Sequence, residues 1–293
     1  MAEGLVCKNI HKTYGKKDVL QSVNLTLEHG KIYGLIGRNG AGKTTLLSIM
    51  TAQNPATKGF VTCDGMPVWE NAKALDKLCF SRELNPMNGF GANSMKIKEY
   101  LKIAATYFPH WNTDLEKRLI EIFGLDIKKR ISKLSKGMMS MVTIIVAMAS
   151  KAEFTFLDEP VAGLDVVVRE QFYKLLLEEF GQSGRTFVIS THIIEEAANV
   201  FEEVIIIDKG RILIKENTEE LLEHCVWVSG REDAVDAAVK GMEIHHAECV
   251  GRGKNVMVHL KPGQSIAGNL NVDIKPMSLQ QVFVAMCGEE IHI

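Results

Sequence analysis

The sequence predicts an α/β fold: a mostly parallel core sheet flanked by helices, with an antiparallel β subdomain, a helical subdomain and a small C-terminal α+β appendage. Three observations carry this. Short apolar runs at 153–157, 186–190 and 204–208 alternate with helical segments at 170–180 and 193–201, the signature of strands joined by crossover helices. A glycine-rich turn at 37–44 joins an apolar strand to a helix. After about residue 217 the texture changes to isolated short strands and one helical segment. The expected division is therefore 1–217, containing a helical subdomain at about 84–150, followed by an accessory domain at 218–293.

Residues 4–29 alternate apolar and polar side chains around a Tyr-Gly-Lys-Lys turn at 14–17, as antiparallel strands do. The run at 31–36 is a buried strand and 44–50 a helix. Pro55, Gly59, Gly65 and Pro67 bracket a short strand at 60–63, and 85–94 is turn-rich. Residues 96–108 and 114–124 have helical spacing, with Leu101, Ala104, Ala105 and Phe108 on one face and Thr113 as N-cap of the second. A helix with an apolar face is expected over 136–150. In the appendage, 226–228 and 255–260 read as strands, 278–286 as a helix, and Trp227 as core.

The chain of 293 residues is 46% hydrophobic, enough for a large domain with a substantial core. A net charge of −2 gives no reason to expect nucleic acid as a partner. The longest apolar run, 141–149, falls short of the ~18–20 residues that span a bilayer, and Met-Ala-Glu-Gly at the start is no secretory signal. The six cysteines are scattered, so they read as reduced thiols mostly packed as small hydrophobes. Among the nine histidines there is no H-E-x-x-H, and the His245-His246 pair by itself is not read as a metal site.

The chemistry concentrates in four motifs. Gly-Arg-Asn-Gly-Ala-Gly-Lys-Thr at 37–44 fits the phosphate-binding pattern G-x-x-x-x-G-K-[ST]. Gly37, Gly40 and Gly42 let the backbone turn its N–H groups onto phosphate oxygens. Lys43 would reach the β- and γ-phosphates, the Thr44 hydroxyl would ligate Mg²⁺, and the following helix adds its N-terminal dipole. Phe-Thr-Phe-Leu-Asp-Glu-Pro at 154–160 ends a strand in two carboxylates, Asp158 suited to Mg²⁺ and Glu159 to polarising the attacking water. Leu-Ser-Lys-Gly-Met at 134–138 opens a helix, where Ser135 and Gly137 can face phosphate oxygens; Ser135 can equally be an ordinary N-cap. His192 follows the strand at 186–190, in reach of a γ-phosphate or in a structural role.

In this order the motifs resemble the ATP-binding cassette (ABC) of ABC transporters, a P-loop NTPase fold, over about residues 2–217. A Gly-Leu-Asp stretch at 163–165 completes the set. The resemblance implies an ATPase using ATP and Mg²⁺. Its nucleotide site comprises Gly37, Arg38, Asn39, Gly40, Ala41, Gly42, Lys43, Thr44 and Thr45, with Tyr14 stacked on adenine and Glu159, His192 and Lys43 catalytic. It also implies a second cassette, from the same or a closely related chain, whose Ser135 and Gly137 act in trans, with Asp165 at the dimer seam. Two positions depart from the family pattern. Lys136 stands in the signature, where its target is not evident. Glu83 stands where a Gln is usual, and is expected to serve metal and water sensing alongside Thr44 and Asp158.

The segment at 108–112, with Glu83, resembles a bacterial subgroup of single-cassette exporter ATPases, some acting on membrane-active peptides and antibiotics. The expected partners are transmembrane permease subunits, and the expected location is the cytoplasmic face of the membrane. Docking would use the helical subdomain, with Phe90, Tyr100, Phe108 and Trp111 as candidate anchors, each of which could instead be local core. Alternatives are a soluble ABC ATPase of translation or repair, against which stand one cassette and no sustained heptads, and a regulator impaired in hydrolysis, against which stands the intact motif set.

Overall fold

The computed structural model describes residues 4–84, 94–261, 263–266 and 271–288. Three sheets organise them. The first is antiparallel, in the order β2-β1-β4-β5, from β1 (Leu5–Tyr14), β2 (Lys17–Leu27), β4 (Lys58–Cys63) and β5 (Met66–Pro67). The second is the core sheet, in the order β10-β9-β3-β8-β7-β6: β3 (Ile32–Ile36), β6 (Leu78–Ser81), β7 (Phe154–Asp158), β8 (Thr186–Thr191), β9 (Glu203–Asp208) and β10 (Arg211–Asn217). All its pairings are parallel except the antiparallel edge strand β10. The third is antiparallel, in the order β12-β13-β11-β14: β11 (Cys225–Arg231), β12 (Glu243–Val250), β13 (Gly253–His259) and β14 (Val272–Pro276).

Around the first two sheets lie α1 (Lys43–Met50), α2 (Ala72–Leu75), α3 (Ile97–Tyr107), α4 (Thr113–Ile122), α5 (Lys136–Ala149), α6 (Val166–Ser183) and α7 (Ile194–Ala197). The appendage adds α8 (Thr218–His224), α9 (Glu232–Ala238) and α10 (Leu279–Cys287).

β3 is central and covered on both faces, so all five of its residues are buried. Its period-two alternation divides the core. Ile32 and Ile36 join the cluster beneath α5 and α6, while Tyr33 and Leu35 join the cluster under α1 and the antiparallel sheet. The appendage has a small cluster of its own around Val228, Val235 and Val256, and its other face merges with the main core. Met257, Leu279 and Val282 pack in one cluster with Ile194, Val204 and Ile206.

A buried ionic knot fixes the helical layer to the sheet. The Arg185 guanidinium donates to the carbonyls of Ala147 and Met148 and to Thr155 Oγ1, and its Nε lies 3.2 Å from Glu179. Lys151 Nζ donates to the same Glu179 carboxylate at 2.7 Å. No helix among the described residues is long and apolar enough to cross a membrane.

Several local expectations are corrected. The cap of α4 is Asn112, whose side chain accepts from Leu115 N–H at 2.9 Å; Thr113 is already helical. α6 begins four residues before the expected 170, because Asp165 caps it. The expected helix at 193–201 divides into α7 and a 3₁₀ turn at Ala198–Val200. β6, β10, β12 and β14 were not expected, and each lies at the edge of its sheet. Five cysteines are buried and Cys249 is exposed; burial alone pushes the Cys7 thiol up to about 12. The turn-rich stretch at 85–93, with Phe90, lies outside the described residues.

Candidate functional site: a phosphate loop facing two carboxylates

The buried strand β3 delivers the chain to the loop at residues 37–42, and α1 leaves from it. Gly42, the N-cap of α1, has φ +112, a backbone that side chains rarely tolerate; a Cβ there would meet Leu20 Cδ2 at 2.8 Å. Lys43 is folded back over the loop. Its ammonium donates to the Gly37 carbonyl at 2.7 Å and the Arg38 carbonyl at 3.4 Å, and lies 3.9 Å from Glu159 Oε1. Burial lowers its pKa, while Glu159 and Asp158 oppose the shift.

β7 runs two strands away from β3 and brings both carboxylates to the same end of the sheet. Thr44 Oγ1 donates to Asp158 Oδ2 at 2.6 Å, and Ser190 donates to the other Asp158 oxygen. Hard oxygen donors from Thr44 and Asp158 are the kind Mg²⁺ takes, and they face each other here.

Glu159 is the strained member of the site. Its φ is +50, left-handed for a residue with a long side chain, which costs about 1–3 kcal/mol. Its N–H is held by the Ser190 carbonyl at 3.1 Å and the Ser190 hydroxyl at 3.2 Å. The turn sends the carboxylate between two side chains: Oε1 towards Lys43, and Oε2 to His192 Nδ1 at 2.7 Å. Gly37 through Thr45, Asp158, Glu159 and His192 thus form one continuous site. Ser190 was missed in the sequence, where it reads as an ordinary residue of a buried strand.

The remaining candidates are held elsewhere. Ser135 caps α5 by accepting from Met138 N–H at 3.2 Å. Gly137 lies against the loop after β7, where a Cβ would stand 2.5 Å from the Gly163 carbonyl oxygen. Ser140 Oγ also donates to the Ala162 carbonyl at 2.7 Å, so the start of α5 and the 162–165 loop form one packed unit. Asp165 caps α6 through Val168 N–H at 3.0 Å, and the next two residues, Val166 and Val167, are 63% and 75% exposed.

The two departures from the family pattern meet: Lys136 Nζ is 3.4 Å from Glu83 Oε1, both side chains about half exposed. Lys136 therefore has a definite target, and among the described residues Glu83 pairs with Lys136 rather than with a group of the phosphate loop. Tyr14 is half exposed at the end of β1; Lys12 Nζ lies 4.9 Å from its ring centroid, and Asn54 donates to its hydroxyl. Of the helical-subdomain aromatics, Tyr100 and Trp111 pack on the core, with Trp111 Nε1 bonded to Glu116 at 2.8 Å and Phe108 stacked on Trp111. Among the described residues of this segment, the outward-facing aromatic is Tyr107, 74% exposed.

Comparison with known proteins agrees with this arrangement. The profile of the ABC transporter family matches residues 20–162. The bacitracin transport ATP-binding protein BcrA of Enterococcus faecalis is 32% identical over 216 residues, covering 73% of this chain and 69% of its own. The ABC transporter ATP-binding protein YtrB of Bacillus subtilis (strain 168) is 23% identical over 287 residues, 96% of this chain and 97% of that one. The lantibiotic transport ATP-binding protein SrtF of Streptococcus pyogenes is 29% identical, covering 78% and 99%. Among solved structures, the ATP-binding subunit of an ABC transporter superposes with a TM-score of 0.64 at 22% identity, covering 75% of this chain and 92% of that one. A post-hydrolysis cassette dimer bound to ADP and Pi gives 0.63 at 21%, covering 73% and 98%.

Proposed function

Since the chain belongs to the ATP-binding cassette family and is an ATPase subunit of ABC transporters, we propose that it divides each ATP site between two cassettes and uses Glu159 to direct water at the γ-phosphate. The observation that carries this is the Glu159 carboxylate, turned by a left-handed backbone to lie between Lys43 and His192 at the mouth of the phosphate loop. A carboxylate so placed accepts a proton from water, and the neighbouring imidazole keeps it aimed.

On this reading the residues from Gly37 to Thr45 wrap the phosphates, and Lys43 exchanges its bonds to loop carbonyls for bonds to the β- and γ-phosphates. Thr44 and Asp158 would hold Mg²⁺, which neutralises phosphate charge when bound, and Glu83 would join them on leaving Lys136. Tyr14 offers its ring to adenine.

Ser135 and Gly137 act on the nucleotide of the other cassette, a copy of this chain or a close relative. The bare Val166 and Val167 beside Asp165 support a seam at that edge, because exposed apolar side chains gain most from being covered. Residues 1–217 serve as the cassette and 218–293 as an accessory domain. The helical subdomain at about 84–150 docks separate membrane subunits, with Tyr107 among its contacts, which locates the protein at the cytoplasmic face of a membrane. The relatives named for bacitracin and lantibiotic transport support export of a peptide, antibiotic or other amphipathic cargo.

The test is Glu159→Gln. Turnover should fall by roughly 10²–10⁴-fold, with ATP affinity kept and an ATP-dependent dimer appearing in light scattering. Wild-type turnover in the variant would remove Glu159 from the mechanism, and a strict monomer at saturating ATP would overturn the divided site.

A further inference from the structure

The appendage brings together histidines that are far apart in the chain. His224 is the last residue of α8, His245 lies on β12, and His259 ends β13. The antiparallel register sets Glu243 opposite His259, and Leu260 N–H donates to the His224 carbonyl at 2.9 Å, which ties the end of α8 to the end of β13. Glu216, from edge strand β10 of the core sheet, reaches the same place, its Oε2 3.6 Å from His259 Nε2.

Two overlapping triads result: Glu216, His224 and His259, and Glu243, His245 and His259. Within each, one potential ligand atom per residue lies within 4.8 Å of the others. The rings of His224 and His245 lie 6.3 and 5.9 Å from that of His259, centroid to centroid.

We infer that this junction is a binding site for one divalent transition metal of the zinc class, held by His259, His224 and Glu216, with the fourth position left to solvent. Three features point to it. The donors are imidazole nitrogens and carboxylate oxygens, the set that zinc takes. Tetrahedral coordination with bonds of about 2.0–2.1 Å puts ligand atoms about 3.3 Å apart. The His259 Nε2–Glu216 Oε2 separation is 3.6 Å, close to that spacing.

Finally, Glu216 Oε2 is a buried atom that makes no hydrogen bond among the described residues, a state that a metal bond relieves. Because Glu216 belongs to the core sheet and the histidines to the appendage, an occupied site fastens the appendage to the sheet that carries the phosphate loop.

The experiment uses tag-free, chelator-stripped full-length protein titrated with Zn²⁺, with metal content measured after desalting and Tm followed with and without Zn²⁺. The expected result is one zinc per chain and a Tm raised by a few degrees. His259→Ala, which removes the ligand common to both triads, should weaken binding at least about 10-fold and abolish the Tm rise. His224→Gln is the second variant should His259→Ala not fold. His246→Ala is the control, because His246 pairs instead with Glu248 at 2.9 Å and meets the edge of Trp227; it should bind as the wild type does. A wild-type protein that retains no zinc overturns the site, as does a folded His259→Ala or His224→Gln that binds normally, or a His246→Ala that loses zinc equally.

Discussion

The phosphate-loop half of the site and the signature half differ in how each is held. In the first, every charged group is engaged within the chain: Lys43 by loop carbonyls and Glu159, Asp158 by Thr44 and Ser190, and Glu159 by His192. In the second, Ser135 makes only a helix cap, and Lys136 with Glu83 forms a half-exposed ion pair. Pairs of that kind contribute at most about 1 kcal/mol. On the proposed divided site, the phosphate loop is the half whose charges are engaged within its own chain, and the signature is the half that acts on a second cassette.

Three substitutions would break or sharpen this contrast. The largest effect is expected for Lys43→Ala, which removes the only ammonium within the loop. Steady-state phosphate release should drop by about 10²–10³-fold or more, and nucleotide binding to the isolated monomer should weaken as well. Next is Gly137→Ala, whose new Cβ would stand 2.5 Å from the Gly163 carbonyl oxygen and push the start of α5 and the 162–165 loop apart. Turnover should fall roughly 10-fold, while monomer affinity for a fluorescent ATP analogue is unchanged. An equal loss of monomer affinity would erase the distinction between the halves. The smallest effect belongs to Glu83→Gln, which breaks the exposed pair with Lys136 and keeps a side-chain oxygen for metal and water. ATPase activity should be preserved and stability should shift by less than about 1 kcal/mol in denaturant titration. Complete loss of turnover with intact ATP binding would instead make the carboxylate charge essential.

The sequence was legible where burial writes a pattern. β3, β7, β8 and β9 lie inside the core sheet and appear as unbroken apolar runs. β6, β10, β12 and β14 lie at edges, where one side faces solvent or a neighbouring element and the alternation fades. β14 even ends in Pro276, which an edge tolerates.

The same division holds for the site. The fixed spacing of the phosphate loop and the adjacent carboxylates at 158–159 made Lys43, Thr44, Asp158 and Glu159 readable. Ser190 was not readable, because its role depends on β8 lying next to β7. Nor was the partner of Lys136, 53 positions from Glu83 in the chain and joined to it only by the fold. The His245-His246 pair was discounted on sequence, and the structure separates its two members, one towards His259 and the other towards Glu248.

The left-handed backbone at Glu159 has a consequence for anyone engineering this protein. Glycine or asparagine would occupy that conformation with less strain than glutamate. A selection for thermal robustness alone would therefore enrich those residues at position 159 and, on the proposed mechanism, deliver hardened, inert variants. Any such campaign on this chain has to screen for turnover at every round.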